Sequence, residues 1–250
     1  MGAVFGVYLK YAALSIMTGA AAGRQYYNYA MASEEVASLG VAFFLLAYIS
    51  IANGVVAILF KMQTGMTIIG KDPKTGKLPL WSYIVWGGFH LPTFLYTYIH
   101  TELGKGHGVP VATEVLPGWW LGGRYGAQLN KAHWAGTVDL TVEFPEQCMD
   151  TTDHYLNIRC WDGVPPTPAQ LEEAAQMCAM ACKKGDIMIH CAHGRGRSTT
   201  VLVAAVVRAG LFATWEEAFE EVKKKRTVVR LNSKMRGALA NWAAQYGKKA

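Results

Sequence analysis

The segment His190–Thr200 (His-Cys-Ala-His-Gly-Arg-Gly-Arg-Ser-Thr-Thr) combines cysteine, glycine and arginine at a spacing suited to phosphate chemistry. Cys191 is followed by five residues and then by Arg197. The apolar stretches on either side predict a strand and a helix, so loop N–H groups and the positive helix end converge on one point. That point attracts a phosphoryl dianion and a thiolate alike, and the Arg197 guanidinium can bind two phosphate oxygens.

The spacing therefore predicts a phosphate-binding loop around a nucleophilic Cys191. The other residues predicted to bind the substrate in this loop are Ala192, His193, Gly194, Arg195 and Gly196. The alternative, a buried structural cysteine beside an exposed basic turn, is disfavoured because every feature that stabilises a thiolate converges within this one loop.

The stretch His190–Ser198 resembles the signature of cysteine-dependent phosphatases of the protein tyrosine phosphatase superfamily, specifically the compact dual-specificity type. Leu121–Gly123 and Val138–Thr141 resemble early strands of that domain, and Tyr155–Ile158 and Asp162–Pro166 resemble the strand and mobile loop that carry its general acid. The resemblance covers roughly residues 112–246, a little over half of the chain. It implies an α/β fold, with a short central sheet flanked by helices, and hydrolysis of phosphomonoesters through a phosphocysteine intermediate.

The resemblance also implies roles for two further side chains. Asp162 is the expected general acid, and Ser198 is expected to hydrogen-bond the sulfur and help it leave, besides capping the following helix. Asp153 competes for the role of acid, but it precedes the strand Tyr155–Ile158 and is expected at the wrong end; Asp139 is expected to be structural. An acid upstream of the cysteine excludes low-molecular-weight phosphatases and related arsenate reductases, and the loop length disfavours rhodanese-like sulfurtransferases.

Two further sets of basic residues have no catalytic role in this scheme. His193 and Arg195 are expected at the mouth of the loop, where they favour polyanionic substrates such as phosphoinositides or phosphatidylglycerophosphate; plain surface charge is the alternative. The run Lys223–Arg226, with Arg230, is expected to be a solvated helix end, with contact to anionic lipid headgroups as the alternative. The five cysteines are odd in number and predict no disulfide framework. A zinc site from His190, Cys191 and His193 lacks a second ligand pair, so no metal or cofactor is predicted.

Residues 1–110 are predicted to form a membrane region with two or three apolar segments, at about 3–22, 36–60 and 80–99. The whole chain is 52% hydrophobic and only 17% charged. Val36–Phe60 contains no charged residue and exceeds the roughly 20 residues that cross a bilayer. Ala3–Ala22 is interrupted by Lys10, and Leu80–Ile99 is rich in aromatics, which suits a span or an interfacial segment. The catalytic domain is predicted over residues 111–250.

Topology is constrained by two arguments that conflict. The loop Lys61–Lys77 carries four lysines against Asp72 alone, which predicts that it lies in the cytoplasm. If Leu80–Ile99 then crosses the membrane, the catalytic domain faces the other side, whereas a thiolate enzyme favours a reducing compartment. We expect a membrane protein whose catalytic domain faces the cytoplasm, with an organelle membrane as the alternative.

The local pattern of the second half predicts alternating helices and strands. Helices are predicted from Thr167 to about Lys183, from the loop to Arg208, from Thr214 to Lys225 and from Ser233 onward, with a strand over Asp186–His190. The resulting expectation is a membrane-anchored phosphatase of phosphoproteins (Tyr/Ser/Thr) or phospholipids, with no nucleic-acid partner. Two alternatives remain open: a phospholipid phosphatase of the mitochondrial phosphatidylglycerophosphate or phosphoinositide type, and a non-catalytic phosphate-binding membrane scaffold.

Overall fold

The computed structural model describes residues 6–31, 39–129 and 133–247, which form a small sheet, its flanking helices and a helical layer from the N-terminal part. The sheet has the order β1-β2-β5-β3-β4, in which β1 pairs antiparallel with β2 and the other pairs are parallel. Its strands are β1 (Ala112–Leu116), β2 (Trp119–Gly123), β3 (Gly136–Asp139), β4 (Tyr155–Asn157) and β5 (Ile187–Cys191).

Helices precede the sheet and alternate with its later strands. In chain order they are α1 (Tyr8–Ala30), α2 (Val41–Met62), α3 (Leu80–Val85), α4 (Gly87–Gly106), α5 (Pro168–Ala181), α6 (Arg197–Arg208), α7 (Trp215–Lys225) and α8 (Ser233–Tyr246). The predicted helix starts in the second half are confirmed: Thr167 closes a capping box with Gln170, and Thr214 accepts a hydrogen bond from the Glu217 N–H.

The centre of the sheet is its most apolar part. Every residue of β5 is buried, as expected for a strand that is covered by helices on both faces. Helix α6 packs on this strand with its first ten residues buried. The predicted α/β class, with a small mixed sheet flanked by helices, is confirmed.

The N-terminal helices form a layer whose first pair is antiparallel. Helices α1 and α2 pack side by side, with Ser15 hydrogen-bonded to Ser50 and Tyr11 in ring contact with Phe60. Among the described residues, α2 alone is long and apolar enough to cross a membrane by length and composition, with 22 residues and a mean hydropathy of 2.3 over an 18-residue stretch of it. Residues 3–5 and 36–38 of the predicted segments lie outside the described ranges.

The third predicted segment, residues 80–99, is not one continuous helix. It breaks at Trp86, which separates α3 from α4. Part of α4 packs on the sheet domain, where Phe94 stacks on Phe144 with ring centroids 5.2 Å apart. The third segment therefore packs against the sheet domain.

One apolar cluster joins the N-terminal helices to the sheet domain. Trp161 is fully buried in it, stacked on Phe60 of α2 at 4.4 Å and edge-on to Phe89 of α4 at 6.2 Å. Lys71 is buried as well and forms an ion pair with Asp139 at the end of β3. Lys71 therefore contributes no free charge to the loop Lys61–Lys77, because a buried ammonium requires an anionic partner and finds it inside the fold.

Candidate active site

The glycine-rich loop lies where the sequence predicts it, between the end of β5 and the start of α6. Its turn depends on Gly194, whose φ is +66°, a left-handed conformation that favours glycine. A Cβ at this position would lie 2.3 Å from the Gly122 carbonyl carbon of β2, so the loop also approaches the sheet too closely for any side chain. These two constraints fix the path of the backbone around Cys191.

Hydrogen bonds that the loop carbonyls accept from outside the loop orient its peptide groups. The Gly194 carbonyl accepts a bond from Arg226 Nε at 2.9 Å, and the Arg195 carbonyl accepts one from the Arg230 N–H at 2.8 Å. Because the C=O and N–H of one peptide point in opposite directions, the N–H groups of Arg195 and Gly196 turn inward. The expectation of a solvated Arg226 is wrong: it is buried and also donates to the Pro110 carbonyl and Thr113, because the loop carbonyls need donors.

The thiol of Cys191 is buried at the floor of the loop, with its Sγ 3.3 Å from Ser198 Oγ. Burial alone would raise the pKa of this thiol, but the Arg197 guanidinium and the Ser198 hydrogen bonds outweigh it and lower the pKa below its ordinary value. The thiolate is thereby favoured. Ser198 lies inside the first turn of α6 and makes no capping bond, so the expectation of a helix cap at this residue is wrong.

Arg197 is buried and held by a carboxylate that the sequence analysis did not identify. Its Nη2 lies 2.8 Å from Glu143 Oε1, and its Nη1 donates to the carbonyls of Leu140 and Cys160 at 2.8 and 2.7 Å. Burial alone would lower the pKa of Arg197, but Glu143 and Asp162 raise it well above the usual value. The Arg197 Nε has no hydrogen-bond partner among the described residues.

Asp162, the predicted general acid, lies beside Arg197. Its Oδ1 is 3.4 Å from Arg197 Nη2, and its side chain is 14% exposed. The carboxylate lines a cleft of about 350 Å³ between the sheet domain, the start of α1 and the C-terminal end of α2. Asp153 lies elsewhere, paired with His133 at 2.6 Å, and Asp139 pairs with Lys71.

His190 points away from Cys191 and into a buried polar cluster. Its Nε2 is 2.6 Å from Glu146 Oε2. Burial opposes this ion pair on both sides, yet the pairing raises the pKa of His190 and lowers that of Glu146. Asp139, Glu146 and His190 lie within 4.8 Å of one another, but the Lys71 ammonium on Asp139 already supplies a cation there. A zinc site formed by His190 with Cys191 and His193 does not fit this orientation.

His193 and Arg195 lie at the mouth of the loop, beneath α4. The His193 ring is in edge contact with His100 at 4.5 Å and with Tyr96 at 5.8 Å. Burial, and after it His100 and nearby cations, hold the pKa of His193 well below its usual range, which favours the neutral ring. Arg195 is half-buried and interacts electrostatically with Tyr96.

Comparison with known proteins finds similarity over about half of the chain. No family model matches it. Over 138 residues the chain is 28% identical to dual specificity protein phosphatase 5 of the rat, an alignment that covers 53% of this chain and 35% of that protein. The chain thus spans about a third of the length of this curated relative. This similarity confirms the predicted resemblance to dual-specificity phosphatases.

Solved structures also match, over the same share of the chain. Human DUSP28 is 22% identical, with a TM-score of 0.47, over 54% of this chain and 95% of that one. A mouse putative dual specificity phosphatase is 23% identical, with a TM-score of 0.49, over 54% and 91% of the two chains.

Proposed function

We propose that this chain is a membrane-anchored, cysteine-dependent phosphatase that hydrolyses phosphomonoesters of phosphoproteins or phospholipids. The observation that carries the proposal is that a thiol, a guanidinium and a carboxyl group lie together at one loop. Cys191 has a lowered pKa beside Ser198, Arg197 is fixed by Glu143, and Asp162 lies 3.4 Å from Arg197. A nucleophile, an anion-binding fork and a proton donor are the parts that phosphoryl transfer to cysteine requires.

In the first step the Cys191 thiolate attacks phosphorus, an S–P bond forms and the P–O bond to the leaving group breaks. Asp162 gives its proton to the departing oxygen. Arg197 and the inward N–H groups of the loop hold the equatorial oxygens while their charge redistributes. The product of this step is phosphocysteine with an ionised Asp162.

In the second step water attacks the phosphocysteine, and Asp162 takes the proton that the water loses. The S–P bond breaks, and the Ser198 hydroxyl donates a hydrogen bond to the sulfur that leaves as thiolate. Inorganic phosphate departs and both groups return to their starting states. No cofactor or metal enters either step.

Membrane anchoring is supported by where apolar surface is left uncovered. Among the described residues, every exposed large hydrophobic side chain except Met180 and Leu211 precedes Lys105. Such a concentration marks a membrane or partner surface. Helix α2 supplies one candidate span. Which side of the membrane the sheet domain faces stays a prediction, as does the domain boundary near residue 111.

Of the two substrate classes, we favour a phospholipid of the phosphatidylglycerophosphate or phosphoinositide type. Its support is that the helical layer packs over the loop itself, through Tyr96 and His100 on His193. Headgroups at the membrane would then have a high effective concentration at the site. A non-catalytic scaffold is less well supported, because Cys191, Arg197 and Asp162 are all retained.

The test is phosphate release by the full chain in detergent micelles. Phosphotyrosine and phosphothreonine peptides and a phosphomonoester phospholipid are compared side by side. We expect release by the wild type, none by Cys191→Ser, and a loss of about 10²–10⁴-fold for Asp162→Asn. Release by Cys191→Ser at the wild-type rate, or no release from any substrate by the wild type, would contradict the proposal.

A further inference from the structure

Another cavity lies in the sheet domain, remote from the phosphate-binding loop. It is bounded by the C-terminal end of α6, the start of α7 and the C-terminal part of α8, and its volume is about 810 Å³. The loop joins the opposite end of α6, about 18 Å away along a helix of 12 residues. The cavity is therefore separate from the groups proposed to act on phosphate.

The lining of this cavity is largely apolar and its shape is held by the fold. The turn after α6 is fixed by Gly210, whose φ is +80°, and by a hydrogen bond from the Leu211 N–H to the Val206 carbonyl at 3.0 Å. We call the cavity the α6–α8 groove. Its apolar side chains are Val207, Leu211, Phe212, Trp215, Trp242 and Tyr246.

Leu211 is exposed at the edge of the groove. Its exposed fraction is 52%, whereas Trp215 and Trp242 are buried beneath it. After Leu103, Leu211 and Met180 are the two large hydrophobic side chains that are exposed in the part of the chain that the structure describes. An apolar side chain held in place beside two aromatic rings is typical of the centre of a protein interface.

An acidic face of α7 adjoins the groove. Glu216, Glu217, Glu220 and Glu221 line a neighbouring depression with Phe212, and Glu216 and Phe212 also line the groove. These glutamates include two pairs one helical turn apart, where like charges repel. The helix dipole accounts for acidic residues in the first turn, but not for Glu220 and Glu221. Within the described ranges, Glu221 is the one member of the four that forms an ion pair.

We infer that the α6–α8 groove is the docking site of a partner protein that presents a basic segment with large apolar residues. The apolar residues fill the groove beside Leu211, and Lys or Arg side chains pair with Glu216 and Glu220. Charge complementarity selects this occupant. Two copies of this chain meeting groove to groove would place acid opposite acid, and anionic lipid headgroups would be repelled. The inference does not depend on the proposed function.

The test selects peptides from a random phage library on the full chain, held in nanodiscs of neutral phospholipid. We expect the enriched peptides to combine large apolar residues with Lys or Arg. Their synthetic copies are measured by fluorescence anisotropy. Leu211→Glu should weaken binding about tenfold or more, because it places a charge at the apolar edge. Met180→Glu, at the other exposed apolar residue, is the matched control and should bind as the wild type does.

The contribution of charge is tested on surface residues, which keeps the inference testable if Leu211→Glu unfolds. The double variant Glu216→Gln, Glu220→Gln should bind the peptides several-fold more weakly at low salt. It should also lose most of the salt dependence, since both effects come from the ion pairs. Exposed Glu173→Gln on α5 is the control and should change neither.

Three results would overturn the inference. The first is enrichment of neutral or acidic peptides, or of none. The second is peptide binding that Leu211→Glu and the double glutamine variant both leave unchanged. The third comes from analytical ultracentrifugation of the full chain: a dimer that Leu211→Glu converts to a monomer would assign the groove to a second copy of this chain.

Discussion

At the scale of single residues, the reactivity of Cys191 depends on two neighbours that act against its burial. Arg197 contributes charge, and Ser198 contributes hydrogen bonds from its Oγ and its backbone N–H. Hydrogen bonds to a charged group contribute about 1.5–3 kcal/mol, enough to move a titration midpoint by about one pH unit or more. A substitution can remove the Ser198 hydroxyl and leave the positive charge of Arg197 in place.

We predict that Ser198→Ala raises the pKa of Cys191, because it removes an interaction that favours the thiolate. Alkylation of Cys191 by iodoacetamide, followed on its peptide by mass spectrometry, should reach half-maximal rate about one pH unit higher than in the wild type. Exposed Ser233→Ala serves as the matched control. An unchanged midpoint would show that the hydroxyl does not stabilise the thiolate.

The residues of the site differ in how readily they can be predicted from the sequence. Cys191 and Arg197 are predictable because their spacing within one loop is itself the signal. Asp162 becomes visible only through resemblance, since an aspartate before a glycine is common in turns. Glu143, which holds Arg197, follows the stretch Val138–Val142, in which apolar and polar residues alternate, and it has no local signal of its own. Its role arises from a tertiary contact that spans 54 positions of the chain.

At the scale of elements, the loop that carries Asp162 is anchored by the N-terminal helices. Trp161 is stacked on Phe60 of α2, and its Nε1 donates to the Thr64 carbonyl at 2.7 Å. On the other side of the loop, Asn232 donates to the Gly163 carbonyl at 2.9 Å. The position of the proposed general acid therefore depends on both parts of the molecule.

We predict that Trp161→Ala impairs proton donation more than nucleophilic attack. A displaced acid should lower kcat about tenfold or more for aryl phosphates with poor leaving groups, and much less for good ones. The measurement is the slope of log kcat against leaving-group pKa, with Asp162→Asn as reference and Trp81→Ala, which is 48% exposed in the wild type, as matched control. Phe60→Ala tests the same stack from α2. A wild-type slope in both variants would exclude the anchoring role.

Element boundaries follow the same distinction between local and tertiary signals. The capped helices α5 and α7 begin where their Thr residues predict, because capping is a local interaction. The break at Trp86 and the burial of Lys71 are not predictable in this way. Both depend on what α4 and the preceding segment pack against, and in a single sequence nothing links Lys71 to Asp139.

At the scale of the whole molecule, the helical layer completes the core of the sheet domain. Val142, Trp161 and Val164 are buried in the same cluster as side chains of α1, α2 and α4. Asp139 is buried beneath Lys71. Removing one partner of a buried ion pair costs about 3–5 kcal/mol, a large share of the 5–15 kcal/mol that stabilises a typical domain.

We therefore predict that residues 112–250 expressed alone are aggregation-prone or melt well below the full chain. The truncation exposes Trp161 to solvent and leaves Asp139 without its cation. Full-length Lys71→Met in micelles should show part of this loss of stability. Adding Asp139→Asn to Lys71→Met should restore part of the stability, because the neutral side chain no longer requires a cationic partner. Circular dichroism melting curves of the four proteins supply the comparison. A truncated domain that stays soluble and melts with the full chain would show that the sheet domain is stable without the helical layer, and that the layer serves the site alone.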